Sequence, residues 1–288
     1  MKISIITVCY NSAATIRDAL ASVAAQRRGE GLEIEHVVVD GGSTDGTVDI
    51  IKAFQTSQTS QTSQTFSWLS EPDEGMYDAM NKGIRLATGD VVDILNADDV
   101  LDGEDVLSRV AAAWAAAPGE TECLYGNVRF VSELGGQTRR VCFARLWRPW
   151  MLQWGYMPPH PAVFIRRECF AKWGGYVPSR KEYRIAADCE LLIRFFRVHR
   201  MNARYMPVLT TAMRLGGLST KNLGAIRTLN AEIVKGNRAN GYFCCFAMLL
   251  PKYLVKVWEV ILPRLTNLWY NLRTCPEKER KNVTEHRH

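Results

Sequence analysis

No C-x-x-C pair occurs in this chain, although it carries 8 cysteines among 288 residues. That absence removes the spacing of a zinc ribbon or a dithiol redox centre. The cysteines, at 9, 123, 142, 169, 189, 244, 245 and 275, fall mostly inside apolar runs and are expected to be buried free thiols. There is no G-x-x-x-x-G-K-[ST], and the stretch GGSTDG from Gly41 does not fit G-x-G-x-x-G. ATPase and dinucleotide readings therefore lose their main support. Lys2 is followed by only eight largely apolar residues, Ile3 to Tyr10, without a small-residue cleavage site. A secretory leader is not expected there, and the expected compartment is the cytosol.

What the chain does have is enough apolar material, 47% of its residues, to bury a substantial core. Its net charge of +6 is unevenly spread: from residue 189 onward 17 Lys or Arg stand against 6 Asp or Glu, whereas residues 1–188 hold 19 against 24. Strand and helix signals alternate through the first hundred residues. KISIITVCY reads as a strand, and Ser12 can cap a helix to about Gln26 with Ile16, Ala19, Leu20 and Val23 at helical spacing. A second strand, IEHVVVD, ends at Asp40. A helix over about 45–54, a strand at FSWLSEP, a helix over about 76–88 and the strand VVDILN follow. This alternation predicts an α/β fold with right-handed crossovers and a parallel sheet. Gln55 to Thr65 interrupts it with QTSQTSQTSQT, a polar repeat expected to form a flexible surface insertion.

Ligands of open α/β sheets bind beyond the carboxyl ends of the strands. Tyr10 and Asn11, Asp40, and the run Asn96-Ala97-Asp98 all stand at such ends. A lone aspartate at a strand end is ordinarily a turn residue or helix cap, which suffices for Asp45 or Asp102. Three polar clusters from separate strands are harder to dismiss. Asp98 and Asp99 together make a hard oxygen site suited to Mg²⁺ or Mn²⁺ carrying a diphosphate.

The series SIITVCYNS, VVVDGGSTDGT, SEPDEGMYDAMNKGIRLATGD, LNADD, HPAVFIRRECF and RIAADCELLIRF closely resembles the inverting family-2 glycosyltransferases of bacterial surface-polysaccharide assembly, such as those of the colanic-acid type. The resemblance spans about residues 1–220. It implies a GT-A fold, a UDP- or GDP-sugar donor and a divalent metal, Mn²⁺ or Mg²⁺. By the same resemblance Tyr10, Asn11 and Asp40 lie against the nucleotide, Asp40 accepting a hydrogen bond from a base ring nitrogen, and Asn81 belongs to the donor pocket. LNADD takes the place of a D-x-D element, with Asp98 the metal carboxylate. Asn96 replaces the first acid there: it can bond a ribose hydroxyl but carries no charge.

The resemblance further implies that residues 1–100 form the nucleotide-sugar half and 101–220 the acceptor half. It selects Asp188 in AADCELL as general base, with Glu190 as fallback, against the simpler reading of Asp188 as a helix cap. It places His160 on the acceptor side, where packing is the alternative; no second histidine stands at metal-ligand spacing from it. Gly216 to Thr220 resembles a loop that closes over the donor.

Residues 221–288 are expected to form a helical, membrane-associating extension. In PKYLVKVWEVIL, from Pro251, Lys252, Lys256 and Glu259 share a helix face amid apolar residues. Three charges and a proline at each end exclude a membrane span and suit a helix lying at an anionic surface, on the cytosolic face of the inner membrane. Packing against its own domain or a dimer partner is the alternative, and nucleic-acid binding is not expected. The function expected is sugar transfer from a nucleotide diphosphate to a glycan or lipid-linked glycan. A catalytically silent nucleotide-sugar binder and a metal-dependent phosphohydrolase are the competing classes.

Overall fold

The computed structural model describes residues 1–27, 29–58, 64–134, 136–216 and 222–253. The β-branched runs of the first hundred residues form β1 (Lys2–Cys9), β2 (Glu33–Asp40), β3 (Thr65–Ser70) and β4 (Val91–Asn96). Alternate side chains face opposite ways along a strand. Ile6, Val8, Val37 and Val39 accordingly enter one core layer, while Ile3, Ile5 and Val38 enter layers on the other side.

Helices α1 (Ile16–Ala24), α2 (Thr47–Gln58) and α3 (Met76–Leu86) connect these strands. α1 buries Ile16, Ala19, Leu20 and Val23, the four positions that its periodicity predicts. It starts at Ile16 instead of after Ser12, because the Ser12 carbonyl accepts the N–H groups of both Thr15 and Ile16 and closes a turn first. α2 runs on into the QTS repeat as far as Gln58, beyond the expected end near residue 54. Trp68 of β3 donates its indole N–H to Gln55 at 2.8 Å, so the start of the repeat is tied to the sheet; residues 59–63 lie outside the described residues.

The later elements are β5 (Val100–Leu101), α4 (Val106–Ala115), β6 (Cys123–Val131), β7 (Thr138–Cys142), β8 (Val163–Arg166), α5 (Arg167–Trp173), α6 (Ala187–Ile193), β9 (Ala203–Arg214) and α7 (Leu223–Ala239). One nine-stranded sheet takes all the strands in the order β3-β2-β1-β4-β8-β6-β9-β5, with β7 paired to β6. The strands β3, β2, β1 and β4 are parallel as expected. Beyond β4 the sheet is mixed: β8 runs antiparallel to β4, meeting it at Val91–Arg166 and Val92–Ile165, and β6 runs antiparallel to β8. Antiparallel neighbours need no helical crossover, so the simple alternation of the first half stops there.

Helices α1, α2 and α4 cover one face of the sheet and α3, α5, α6 and α7 the other. α7 adds Ile233 and Val234 to the layer that holds Ile6 and Val8, and the turn Phe246–Leu249 adds Leu249. The C-terminal region therefore begins as part of the core. Lys252, expected on the polar face of an interfacial helix, is instead buried and donates to Asn230 Oδ1 at 2.7 Å. Residues 254–262 of that expected helix lie outside the described residues. The seven described cysteines are free, five of them buried. Among the described residues no helix is long and apolar enough to cross a membrane.

Candidate active site

Strand register brings the predicted donor residues to one edge. Cys9, immediately before Tyr10 and Asn11, pairs with Asp40, and Val8 pairs with Asn96. Tyr10 is 61% exposed there. Asn11 has φ 49°, a left-handed conformation that Asn tolerates better than most residues. Its N–H donates to Ser43 Oγ at 2.8 Å and its Oδ1 accepts the Thr44 N–H at 2.9 Å, which moors the β1 end to the loop after β2.

Asp40 is fully buried. Its carboxylate accepts from the N–H groups of Gly42 (3.1 Å) and Ser43 (2.9 Å), the hydroxyls of Ser43 and Ser70, and the Cys9 thiol. Burial alone would raise its pKa, but the donors from Ser43 and Ser70 outweigh burial and lower it. In this state Asp40 organises the loop, and a contact from Asp40 to a nucleotide base requires one of these donors to turn away. The carboxylate that lies over that loop is Asp73, which sequence reasoning missed: a Cβ on Gly41 would fall 2.3 Å from its Oδ2. The signal available was the acid in SEPDEG.

At the β4 end, Asp98 is exposed and Asp99 is buried. Asp99 accepts from Asn96 Nδ2 and from the Arg214 N–H, both at 3.3 Å. Burial and the neighbouring Asp98 charge push its pKa up to about 7. The two acids thus differ in role: one ties the turn to β9 and the other faces solvent. Asn96 Oδ1 is buried without a hydrogen-bond partner. Among the described residues no group of three or more His, Cys, Asp or Glu side chains could hold an ion by itself. One free-facing carboxylate beside a partnerless amide oxygen fits a hard divalent ion whose shell is completed by phosphate and water oxygens.

A second cluster of expected site residues is built on an aromatic chain. Tyr77 of α3 stacks on Tyr176, with centroids 5.7 Å apart, and the Tyr176 hydroxyl lies 2.7 Å from His160 Nε2. The Tyr77 hydroxyl donates to Asp188 Oδ1 at 3.4 Å. Asp188 and His160 are therefore linked through two tyrosines, a connection the sequence did not reveal. Burial lowers the His160 pKa to about 4, leaving a neutral imidazole at pH 7. Asn81, expected in the donor pocket, has its amide committed to Tyr176: Nδ2 donates to the Tyr176 carbonyl at 2.8 Å and Oδ1 accepts the Tyr176 N–H at 2.9 Å. In this geometry it positions the aromatic chain.

Asp188 stands in the first turn of α6, whose N-cap position is Ala186, with no side-chain cap. Its Oδ1 accepts the adjacent Cys189 N–H at 2.8 Å, and burial raises its pKa to about 6 against the lowering effect of that bond and of Tyr77. The loop before it is held from α7, where Glu232 accepts the N–H groups of Arg184, Ile185 and Ala186 at 2.8 to 2.9 Å. Glu190, the fallback base, is buried against Arg194 (3.1 Å) and Asn240 (3.1 Å), so its carboxylate is structural. Of the expected closing loop, residues 217–220 lie outside the described residues.

Residues 4–173 match the family model described as glycosyl transferase family 2. A PGL/p-HBAD biosynthesis glycosyltransferase of Mycobacterium bovis is 36% identical over 222 residues, covering 75% of this chain and 78% of that protein. Among solved structures, S. aureus TarS 1-349 in complex with UDP-GlcNAc superposes with a TM-score of 0.59 at 17% identity, covering 97% of this chain and 78% of that one. Against a longer TarS chain the match covers 81% of this chain and 40% of that one. The mannosyltransferase PcManGT from Pyrobaculum calidifontis, in complex with GDP-Man and Mn²⁺, gives 0.55 at 18% identity, covering 99% and 79%.

Proposed function

The chain belongs to glycosyl transferase family 2 and has the GT-A fold, and on that premise we propose that it transfers a sugar with inversion from a UDP- or GDP-sugar to a glycan or lipid-linked glycan in cell-surface polysaccharide or glycolipid assembly. The observation that carries this reading is that the chain assembles two separate sets of groups. One is the strand edge bearing Tyr10, Asn11, Asn96 and Asp98. The other is the aromatic chain ending at Asp188. An inverting transfer needs such an arrangement, with a base on the acceptor face and charge stabilisation on the leaving face.

Asp188 takes the proton from the acceptor hydroxyl as that oxygen bonds to the anomeric carbon and the bond to the nucleoside diphosphate breaks. A pKa of about 6 keeps the carboxylate mostly ionised at neutral pH while leaving it more basic than an ordinary aspartate. Asp98, with Asn96 beside it, would hold Mn²⁺ or Mg²⁺, which when bound neutralises charge on the departing diphosphate. Tyr77 and Glu232 fix the position of the base, and His160, neutral and held by Tyr176, lines the acceptor side. In this reading the protein works at the cytosolic face of the inner membrane, where a lipid-linked acceptor is presented.

Nucleoside diphosphate release, measured with and without candidate acceptors and followed by mass analysis of products, tests the proposal. Acceptor-dependent release with a glycosylated product is expected. Equal release without acceptor would instead identify a hydrolase, and no release with tight donor binding a silent binder.

A further inference from the structure

Two short segments that the donor and acceptor chemistry leaves unused meet on the surface behind α6. One is the turn Pro149–Trp154, which inserts Leu152 into the core beside α6. The other is 243–250, which inserts Leu249. They are pinned together: Gln153 Nε2 donates to the Phe243 carbonyl at 2.5 Å, and the Cys244 thiol donates to the Gln153 carbonyl at 3.3 Å. Their inward residues are satisfied by the core, yet their outward residues are large and apolar. Trp150, Phe243, Phe246 and Leu250 are between 55% and 71% exposed. Scattered single apolar residues need no explanation, but four on two mutually pinned turns do.

The charge around them selects the occupant. Cations stand beside both turns: Arg148 donates to the Arg145 and Trp147 carbonyls just ahead of the first, Arg238 donates to the Cys244 carbonyl, and Arg197 donates to Gln153 Oε1 and lies over the Tyr242 ring, while the sequence holds no acidic residue between Glu133 and Glu168 or between Glu232 and Glu259. The patch is therefore apolar and aromatic with a one-sided basic rim. A second copy of this chain would set arginines against arginines across a two-fold axis. The segment from 254 onward is itself basic, with 7 Lys or Arg against 4 Asp or Glu. An anionic bilayer surface meets both demands, taking tryptophan and phenylalanine at headgroup depth and Lys or Arg at the phosphates.

We propose that the turns 149–154 and 243–250 form a face that docks on an anionic bilayer, independently of residues 254–288. The inference rests on the reading that the acceptor is lipid-linked only for its purpose, which is to hold the α6 side of the cleft near the membrane. The test uses the full chain, vesicles of phosphatidylcholine with and without phosphatidylglycerol, and two variants. These are Trp150→Ser with Phe243→Ser and Phe246→Ser, and the single Arg145→Glu.

Wild type is expected to co-sediment with the anionic vesicles and less with the neutral ones. The triple variant is expected to lose roughly tenfold or more in partitioning, through loss of interfacial apolar burial, and Arg145→Glu a smaller, salt-sensitive amount. Both variants should keep the wild-type melting temperature and its upward shift with nucleotide sugar. Wild-type failure to bind, or equal binding by the triple variant, would overturn the proposal. So would a wild-type dimer that the triple variant dissociates, since the face would then be a self-association surface. If nucleotide sugar fails to shift the melting temperature, the donor reading falls and the vesicle result is judged separately.

Discussion

Asp188 is a carboxylate whose burial, partly offset by the Cys189 N–H and the Tyr77 hydroxyl, lifts its pKa to about 6 from an ordinary 3.8. Turnover is therefore expected to climb as pH passes 6, because only the ionised form accepts a proton. Its contribution to stability has the opposite sense: the folded pKa is raised, so the contribution is complete below about 4 and is lost as pH rises through 6. Asp188→Asn keeps the shape and should lower kcat by about 10² to 10⁴ with donor affinity and melting temperature near wild type. An undiminished rate would remove the residue from the chemistry. Tyr77→Phe removes a donor to the charged form, so the acid limb of the pH–rate profile should move upward and kcat should fall by less than about tenfold. Asp98→Ala should abolish the metal dependence of donor binding, measured by titrating nucleotide sugar with Mn²⁺ and with a chelator, while the fold persists. The strand-end positions of Tyr10, Asn11, Asp40, Asn96 and Asp98 were legible in the sequence because strand ends are local. Whose lone pairs are already occupied was not legible. Asp40 is satisfied by Ser70 and Asn81 by Tyr176, partners 30 and 95 residues away.

Elements carry two further expectations. β4 places Asp93 wholly inside the sheet, with neither carboxylate oxygen hydrogen-bonded, and burial raises its pKa well above the usual range. Folding therefore holds it protonated, and the unfolded chain gives up that proton above pH 4. The stability advantage of Asp93→Asn over wild type should accordingly grow as pH rises, by at most about 1.4 kcal/mol per pH unit, in urea unfolding at several pH values. A difference independent of pH would show that Asp93 is ionised in the fold. On α7, Glu232 anchors three consecutive N–H groups ahead of the proposed base. Glu232→Ala should cost about 3 kcal/mol and depress kcat more than donor affinity, whereas Glu232→Gln should recover part of the stability. Nothing in the sequence marked Glu232, since it is an acid on an amphipathic helix whose partner loop lies some 46 residues upstream. The helices themselves were legible wherever an apolar stripe was clean, as in α1. Their ends were not: a turn delays α1, and α2 continues into the polar repeat because glutamine is a good helix former and the Thr56 and Ser57 hydroxyls bond back to the Lys52 and Phe54 carbonyls.

Across the whole molecule, one sheet takes strands from both the first hundred residues and the region beyond, so the two are expected to unfold together, with far- and near-ultraviolet circular dichroism reporting coincident urea transitions. A donor present at a hundred times its dissociation constant should add about 2.7 kcal/mol to that common stability. The α/β class was readable from alternation alone. The mixed pairing beyond β4 was not, because antiparallel neighbours leave no crossover pattern in the sequence. That change of direction has an evolutionary consequence. The parallel strands meet the rest of the sheet through two residue pairs, Val91–Arg166 and Val92–Ile165, a narrow seam in backbone terms. The core does not respect that seam: Ile6, Val8, Tyr77 and Met80 share one layer with Phe170, Leu191 and Phe195, so an exchange of either half alone would have to re-match those contacts. The turn at Asp99 adds to the constraint, since it is bonded to Asn96 on one side of the seam and to Arg214 of β9 on the other, so the two halves can change only as one inheritance.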